Sequence, residues 1–341
     1  MKLDLAAHPR VPEPRPQELG IIVTTVASKV VVVGSITADV TAFGRRLPVP
    51  GETVIGESFT LVLGGKGANQ ALAAARAGAS STMIGCVGDD LFRDTVLGGL
   101  RDGGVDTSAV TTVAGPTGVA HIRVDIDTGQ NDIVIVPLAN SSLTPDLAER
   151  QLREVARSGD VLLLQLEIPL ETAFRAAVVG RELGMIVVLD PAPAASLPDE
   201  IWSFVDVVTP NESEAAVLTG ITVSDDATAA VVGQWFLDRG VHAALITLGE
   251  KGVVEVNETG VHSRSAPTVD VVDTTAAGDA FAGNLGAGLA NGLTWDESVT
   301  RGIHAGALAV TVAGASTSLP TADAVDSFIG AVNHDREASH A

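Results

Sequence analysis

The sequence predicts an α/β fold: a doubly wound, mainly parallel sheet flanked by helices, with a small additional β-sheet. Three observations lead there. Short, near-continuous apolar runs such as KVVVVGS (29–35) and VLLLQLE (161–167) alternate with helical patterns, as expected of strands buried on both faces. Two stretches, 40–63 and 117–137, instead alternate apolar with polar residues and carry turn residues, as antiparallel strands with one wet face would. From Ala276 to about Val332 the pattern is mostly helical.

Taken in order, residues 1–28, opening MKLDLAAHPRVPEPRPQELG, are rich in Pro and charge and read as a flexible extension outside the fold. They lack the basic-then-apolar order of a secretory signal. The main domain, 29–335, starts with KVVVVGS, a β-branched run closed by Gly. GGKGANQALAAARAG (64–78) is a glycine-rich turn entering an Ala-rich helix. The stretches 40–63 and 117–137, inserted among the early strands and helices, read as a small projecting sheet, with ordinary surface hairpins as the alternative on pattern alone. After VLLLQLE, ETAFRAAVVGRELG (171–184) is an amphipathic helix and MIVVLD (185–190) a strand. VDVVTPNE (205–212) is a strand running into a helix start, and HAALITLGEKG (242–252) a strand with a Gly-rich exit. Residues 336–341 are expected to form a flexible tail.

Composition narrows the function. A chain of 341 residues with 46% hydrophobic content and mean hydropathy +0.32 can bury a sizeable core. Its net charge of -21 argues against nucleic acid and anionic membranes as partners, because both are held by clustered Lys and Arg. A nucleotide is not excluded, since helix N-termini and Mg²⁺ supply local positive potential. Cys86 is the only cysteine, and the seven histidines show no zinc-type pairing. No apolar run reaches membrane-spanning length, so a cytoplasmic, soluble protein is expected.

The chemistry concentrates in five motifs. In DTTAAGD (273–279) small residues keep a helix start bare, so the N–H groups of Ala276, Ala277 and Gly278 can face a transferring phosphoryl group. Asp279, just inside, can take a proton from an attacking hydroxyl, or simply charge a helix start. Asp273 could join loop carbonyls around a hard cation. In GGKGAN, Gly65 lets backbone approach a ligand while Lys66 and Asn69 stand as donors. Gly67 follows the lysine where a P-loop needs Ser or Thr. In GSITAD (34–39), Asp39 is an acceptor for hydroxyls or a turn residue, and the further glycines of a dinucleotide fingerprint are missing. In NESE (211–214), Asn211 could meet phosphate and Glu214 hold water on Mg²⁺, or the pair could be a plain N-cap. TLGEKG (247–252) offers donors suited to a nucleotide.

These residues together resemble the ribokinase-like (PfkB) sugar kinase family from about Lys29 to about Val332. GGKGANQA and DTTAAGDAF match its two signature regions, and QLE (165–167), DPAPA (190–194), TPNE (209–212) and TLGEKG follow in the family's order. The resemblance implies a small β-sheet lid over the sugar, dimerisation through the lids, and ATP-dependent phosphorylation of the ribose 5-hydroxyl with Mg²⁺ and a monovalent cation, usually K⁺. It implies Asp279 as base, with the amides of Ala276, Ala277 and Gly278 as anion hole. Thr37, Asp39, Gly65, Lys66, Asn69 and Glu167 would contact the sugar. Asn211, Thr247, Leu248, Gly249, Glu250, Lys251, Gly252 and Gly278 would meet ATP, with Glu214 near Mg²⁺ through water. Asp273, the Thr275 carbonyl, Ala309, Val312, Gly314 and Ser318 would bind the monovalent cation.

Two departures bear on specificity. Members that phosphorylate ribose usually carry Asn where this chain has Thr37. A lost partner for a buried hydroxyl costs about 1–3 kcal/mol, enough to change sugar preference. A kinase for 2-deoxyribose, fructose or another small sugar is therefore the alternative within the class, and a non-catalytic sugar-binding regulatory protein the alternative outside it. On the adenine side, either Ile303 or His304 stands where the family often has Asn or His.

Overall fold

The computed structural model describes residues 28–340, so the expected N-terminal extension lies outside the described residues apart from Ser28. Four consecutive valines form β1 (Val30–Val33), which leads into β2 (Thr37–Gly44), β3 (Ser58–Gly64) and the helix α1 (Lys66–Arg76). There follow β4 (Ser81–Gly88), α2 (Arg93–Asp102), β5 (Val105–Asp106), β6 (Val110–Val113), β7 (Gly118–Asp125) and β8 (Asn131–Val136). Strands and helices then alternate: α3 (Pro145–Val155), β9 (Val161–Leu164), α4 (Leu170–Glu182), β10 (Ile186–Leu189), β11 (Val207–Val208), α5 (Glu212–Thr219), α6 (Asp226–Leu237) and β12 (Ala243–Thr247). The antiparallel pair β13 (Val253–Asn257) and β14 (Gly260–Arg264) precedes α7 (Ala277–Ala290), α8 (Trp295–Ala309) and α9 (Ala322–His340). This last helix continues through most of the segment 336–341 set apart above as a tail.

The large sheet runs β14-β13-β12-β11-β10-β9-β1-β4-β5, with β6 also on β4. It is parallel from β11–β12 across to β4 and turns antiparallel only at β13 and β14. Strand β1 explains why it can sit in the middle. Val30 and Val32 enter the core under α1, α7 and α8, while Val31 and Val33 enter the core under α3, α4 and α6. A strand buried on both faces needs no polar alternation, and β-branched residues fit its pleat. Neighbouring β1 are β4 on one side and β9 on the other, so the winding reverses there. The crevice beyond the carboxyl ends of these strands is where such sheets bind ligands.

The stretches 40–63 and 117–137 form a separate four-stranded sheet, order β3-β2-β7-β8. Here one expectation is corrected. The outer pairs are antiparallel, but the central pair β2–β7 is parallel, with Thr37 opposite Gly118. The reason lies in the large sheet: β1 and β6 run in the same direction on either side of β4, and β2 and β7 continue them outward. Ile133, Val134, Ile135 and Val136 of β8 and Phe59 of β3 remain exposed. Among the described residues no helix is long and apolar enough to cross a membrane.

Candidate active site

The crevice is built where α1 and α7 cross. A Cβ on Gly283 would lie 2.4 Å from the Ala73 Cβ and 2.9 Å from the Gln70 carbonyl oxygen. Only a bare glycine lets the two helices approach this far, and that approach delivers the first turn of α7 to the first turn of α1. On α1, Lys66, Asn69 and Gln70 stand at i, i+3 and i+4 and share one face.

Helix α1 starts without a side-chain cap of its own, at Gly65 with φ 91°. A Cβ there would meet the Thr37 nitrogen at 2.9 Å and the Ser35 oxygen at 3.0 Å, so both the turn and the space require glycine. Distant residues serve the orphan donors of the first turn. The Lys66 N–H donates to Glu167 Oε2 at 2.9 Å, and the Gly67 N–H to the Ser35 hydroxyl at 3.3 Å, which itself donates to the same Oε2 at 2.6 Å. Glu167 thus caps the N-terminus of α1 from just past the end of β9.

Asp279 is the third residue of α7 and only 3% exposed. It accepts from Asn69 Nδ2 at 3.0 Å and Gln70 Nε2 at 3.1 Å, and Lys66 Nζ stands 3.9 Å away. Burial pushes the Asp279 carboxyl above the ordinary carboxylate range, while Lys66, Asn69 and Gln70 pull it back. Burial opposes the charge on Lys66, but Asp279, Asp190, Glu167 and Glu214 outweigh it and raise the ammonium's pKa. Asn69 Oδ1 is buried and finds no hydrogen-bond partner among the described residues.

The start of α7 is bare, as expected: no side chain among the described residues caps it, and Ala276 holds the left-handed conformation at φ 61°. Of the three expected donors, the Ala277 N–H is loosely engaged by the Thr274 carbonyl at 3.4 Å. Asp273 braces the loop before it. Its Oδ1 accepts from the Thr275 N–H at 2.9 Å and hydroxyl at 2.6 Å, and its Oδ2 from the Gly314 N–H at 2.8 Å. Burial works against the Asp273 charge, but Thr275 and Gly314 hold its pKa below the usual value. Asp273, Thr275 and Gly314 are thereby brought together. Val312 donates back to the Ala309 carbonyl, and Ser318 is buried in the same loop with its hydroxyl on the Ala315 carbonyl. A carboxylate among carbonyl and hydroxyl oxygens is a donor set suited to a hard cation.

Thr37 is 2% exposed and gives its hydroxyl proton to Asp39 Oδ1 at 2.7 Å. Burial raises the Asp39 pKa to about 6; Thr37 lowers it, and Glu167 and Asp279 push it up. Asn211 caps α5 in a reciprocal box: its Oδ1 accepts from the Glu214 N–H, and Glu214 Oε2 accepts from the Asn211 N–H, both at 2.9 Å. The plain N-cap reading of NESE is therefore present in the structure. Glu214 nonetheless acts electrostatically on both Lys66 and Asp190. Asn211 bridges to Thr247 at the end of β12, so the two expected nucleotide contacts are neighbours. Beyond it, Gly249–Lys251 make a 3-10 turn with Glu250 and Lys251 exposed, Gly252 has φ 104°, and Leu248 is buried in the core. Ile303 also joins the core, and the His304 ring meets Phe328 edge-on. Among the described residues no group of three or more His, Cys, Asp or Glu forms a metal cage.

Three residues of the crevice had no assigned role in the sequence: Gln70, Gln165 and Asp190. Gln70 Nε2 donates to Asp190 Oδ2 at 2.8 Å as well as to Asp279, and Gln165 Nε2 donates to Gln70 Oε1 at 2.5 Å. The signals were faint but physical: Gln70 lies one helical turn after Lys66, and Asp190 and Gln165 each directly follow a central parallel strand.

Known proteins resemble this chain over most of its length. The sequence model of the pfkB family carbohydrate kinases matches residues 27–322. Ribokinase of Haemophilus influenzae is 40% identical over 291 residues, covering 85% of this chain and 94% of that protein. Deoxyribokinase of Salmonella typhi is 32% identical, covering 88% and 98%. Arabidopsis thaliana ribokinase complexed with ribose and ATP superposes with a TM-score of 0.79 at 30% identity, covering 89% and 99%.

Proposed function

This chain belongs to the pfkB family of carbohydrate kinases and is an ATP-dependent sugar kinase, and from that premise we propose that it phosphorylates the 5-hydroxyl of D-ribose, giving D-ribose 5-phosphate and ADP. The observation that carries the reading is the grip of Asn69 and Gln70 on Asp279, beside a helix start left bare of side-chain caps. The similarity to ribokinases supports ribose as the sugar.

In this scheme Asp279 removes the proton from the sugar hydroxyl as its oxygen attacks the γ-phosphorus and the bond to the β-phosphate oxygen breaks. A buried carboxylate with raised pKa is the better matched to that proton. The N–H groups of Ala276, Ala277 and Gly278 face the charge on the phosphoryl oxygens, the Ala277 group after its loose bond to Thr274 yields. Asp39 accepts from sugar hydroxyls, and Gly65, Lys66 and Asn69 line the turn beside it. ATP lies along Asn211, the turn Thr247–Gly252 and Gly278. Mg²⁺, which keeps several waters and would be held through water by Glu214, neutralises phosphate charge when bound. A monovalent cation, K⁺ in this reading, would take oxygens from Asp273, Thr275 and the 309–318 loop and steady the segment leading into the anion hole. The exposed aliphatic residues of β8 support dimerisation through the small sheets, each acting as a lid.

One observation favours a second reading. The Thr37 hydroxyl is spent on Asp39, so the pocket offers a sugar one donor fewer, which suits 2-deoxyribose. The 32% identity to a deoxyribokinase fits it too. Calorimetry of ribose binding and ADP formation on Asp279→Asn test the leading scheme together. Binding should persist while kcat falls by about 10²-fold or more; near-normal turnover would refute the assignment of Asp279.

A further inference from the structure

Asp190 has no task in the reaction above, yet the crevice is arranged around it. It follows β10, is 6% exposed, and its Oδ2 accepts from Gln70 Nε2 at 2.8 Å and stands 3.9 Å from Lys66 Nζ. The same Nε2 reaches Asp279 Oδ1 at 3.1 Å, and the same Nζ is 3.9 Å from it. Two buried carboxylates thus share one amide nitrogen and one ammonium at matching distances. Gln165, fully buried, donates to Gln70 Oε1 and so fixes which end of the Gln70 amide faces the pair.

We propose that Asp190 is a positioning residue for Asp279: it holds Lys66 midway between the two carboxylates, shares the Gln70 amide, and thereby sets how basic Asp279 is toward the sugar hydroxyl. The proposal rests on reading Asp279 as the base. Removing water leaves two like charges facing one cation, so the proton affinity of each depends on the other. Burial raises the Asp190 pKa to about 7, with Asp279 and Glu214 adding to it and Lys66 and Gln70 opposing. The charged groups facing the pair come from every side: Lys66 from α1, Glu214 from α5, Glu167 after β9, and Asp39 from β2 toward Asp279. The pair therefore titrates as one unit around Lys66, and taking away either carboxylate lowers the proton affinity of the other.

The test is a ¹³C titration of the aspartate side-chain carboxyls in ligand-free wild type, Asp190→Asn and Asp279→Asn, each resonance assigned by its loss in one variant. Alongside it runs the pH profile of kcat/KM for wild type and Asp190→Asn. With Asp190→Asn, the Asp279 carbon should titrate in one step about one pH unit or more lower, and the acid limb of kcat/KM should move down with it. Uniform loss of rate with an unmoved limb would mean that Asp190 only fills space, and would overturn the proposal, as would an Asp279 carbon that does not shift. If Asp190→Asn does not fold, the reciprocal holds: in Asp279→Asn the Asp190 carbon must move down, and a stationary one overturns the coupling. Because the carbon titrations involve no turnover, they stand or fall separately from the base assignment. That assignment fails if Asp279→Asn remains active.

Discussion

A carboxylate in the first turn of a helix is favoured by the exposed N–H groups, whereas burial disfavours its charge. At Asp279 burial wins, and the pKa is raised in spite of Lys66, Asn69 and Gln70. Asp39 shows the same contest with a testable sign. Its folded pKa of about 6 lies above the ordinary 3.8, so its contribution favours folding at low pH and is lost as pH rises from about 4 through about 6. The Thr37 hydroxyl softens this by donating to the charged form. Thr37→Val should therefore destabilise by about 1–3 kcal/mol at pH 8, where Asp39 is ionised, and by less at pH 5. Urea unfolding at the two pH values checks this, and equal losses would mean the bond does not depend on the charge. Asp273→Ala should weaken the dependence of rate on K⁺; an unchanged K⁺ titration would remove the cation assignment. Asp279, Lys66 and Asn69 were legible in the sequence because charged or amide residues set among glycines and alanines have few structural reasons to be there. Gln70, Gln165 and Asp190 were not, because their roles exist only once α1 crosses α7 and β9 lies beside β10.

Helix starts carry the site at the next scale, and each is completed differently. Helix α5 closes itself with Asn211 and Glu214, α1 borrows Glu167 and Ser35, and α7 has no side-chain cap among the described residues. The Ala276 conformation belongs to that last design, since an L-residue in the left-handed region costs about 1–2 kcal/mol. Glycine removes that cost but returns about 0.4–1 kcal/mol through the unfolded chain. Ala276→Gly should then be neutral to stabilising by about 1 kcal/mol in thermal unfolding, and clear destabilisation would show that the Ala276 methyl packs usefully. Gly283→Ala should do the opposite: overpacking costs about 1–3 kcal/mol, and the separated helices should take Asp279 away from Gln70. Its signature is a fall in kcat larger than any change in sugar binding. The strands and helices of the large sheet were readable from their periods. The parallel pairing of β2 with β7 was not, because it follows from two distant strands, β1 and β6, running the same way.

For the whole molecule, the large sheet supplies a crevice at its winding reversal, and the small sheet stands beside it on β2 and β7, which start opposite each other at Thr37 and Gly118. A sheet so anchored can cover the sugar and exclude water during transfer. On the proposed dimerisation through the small sheets, Ile133→Lys with Ile135→Lys, which lie on one exposed face of β8, should convert a dimer to a monomer in light scattering. A mass unchanged by both substitutions would place any dimer contact elsewhere. The measurement that reaches the central claim most directly is ADP release from MgATP and K⁺ across ribose, 2-deoxyribose, fructose and a nucleoside, on wild type and Asp279→Asn. The account predicts the highest kcat/KM with ribose and loss of release in the variant. No sugar-dependent release from folded protein that binds sugar, or undiminished release by Asp279→Asn, would contradict it.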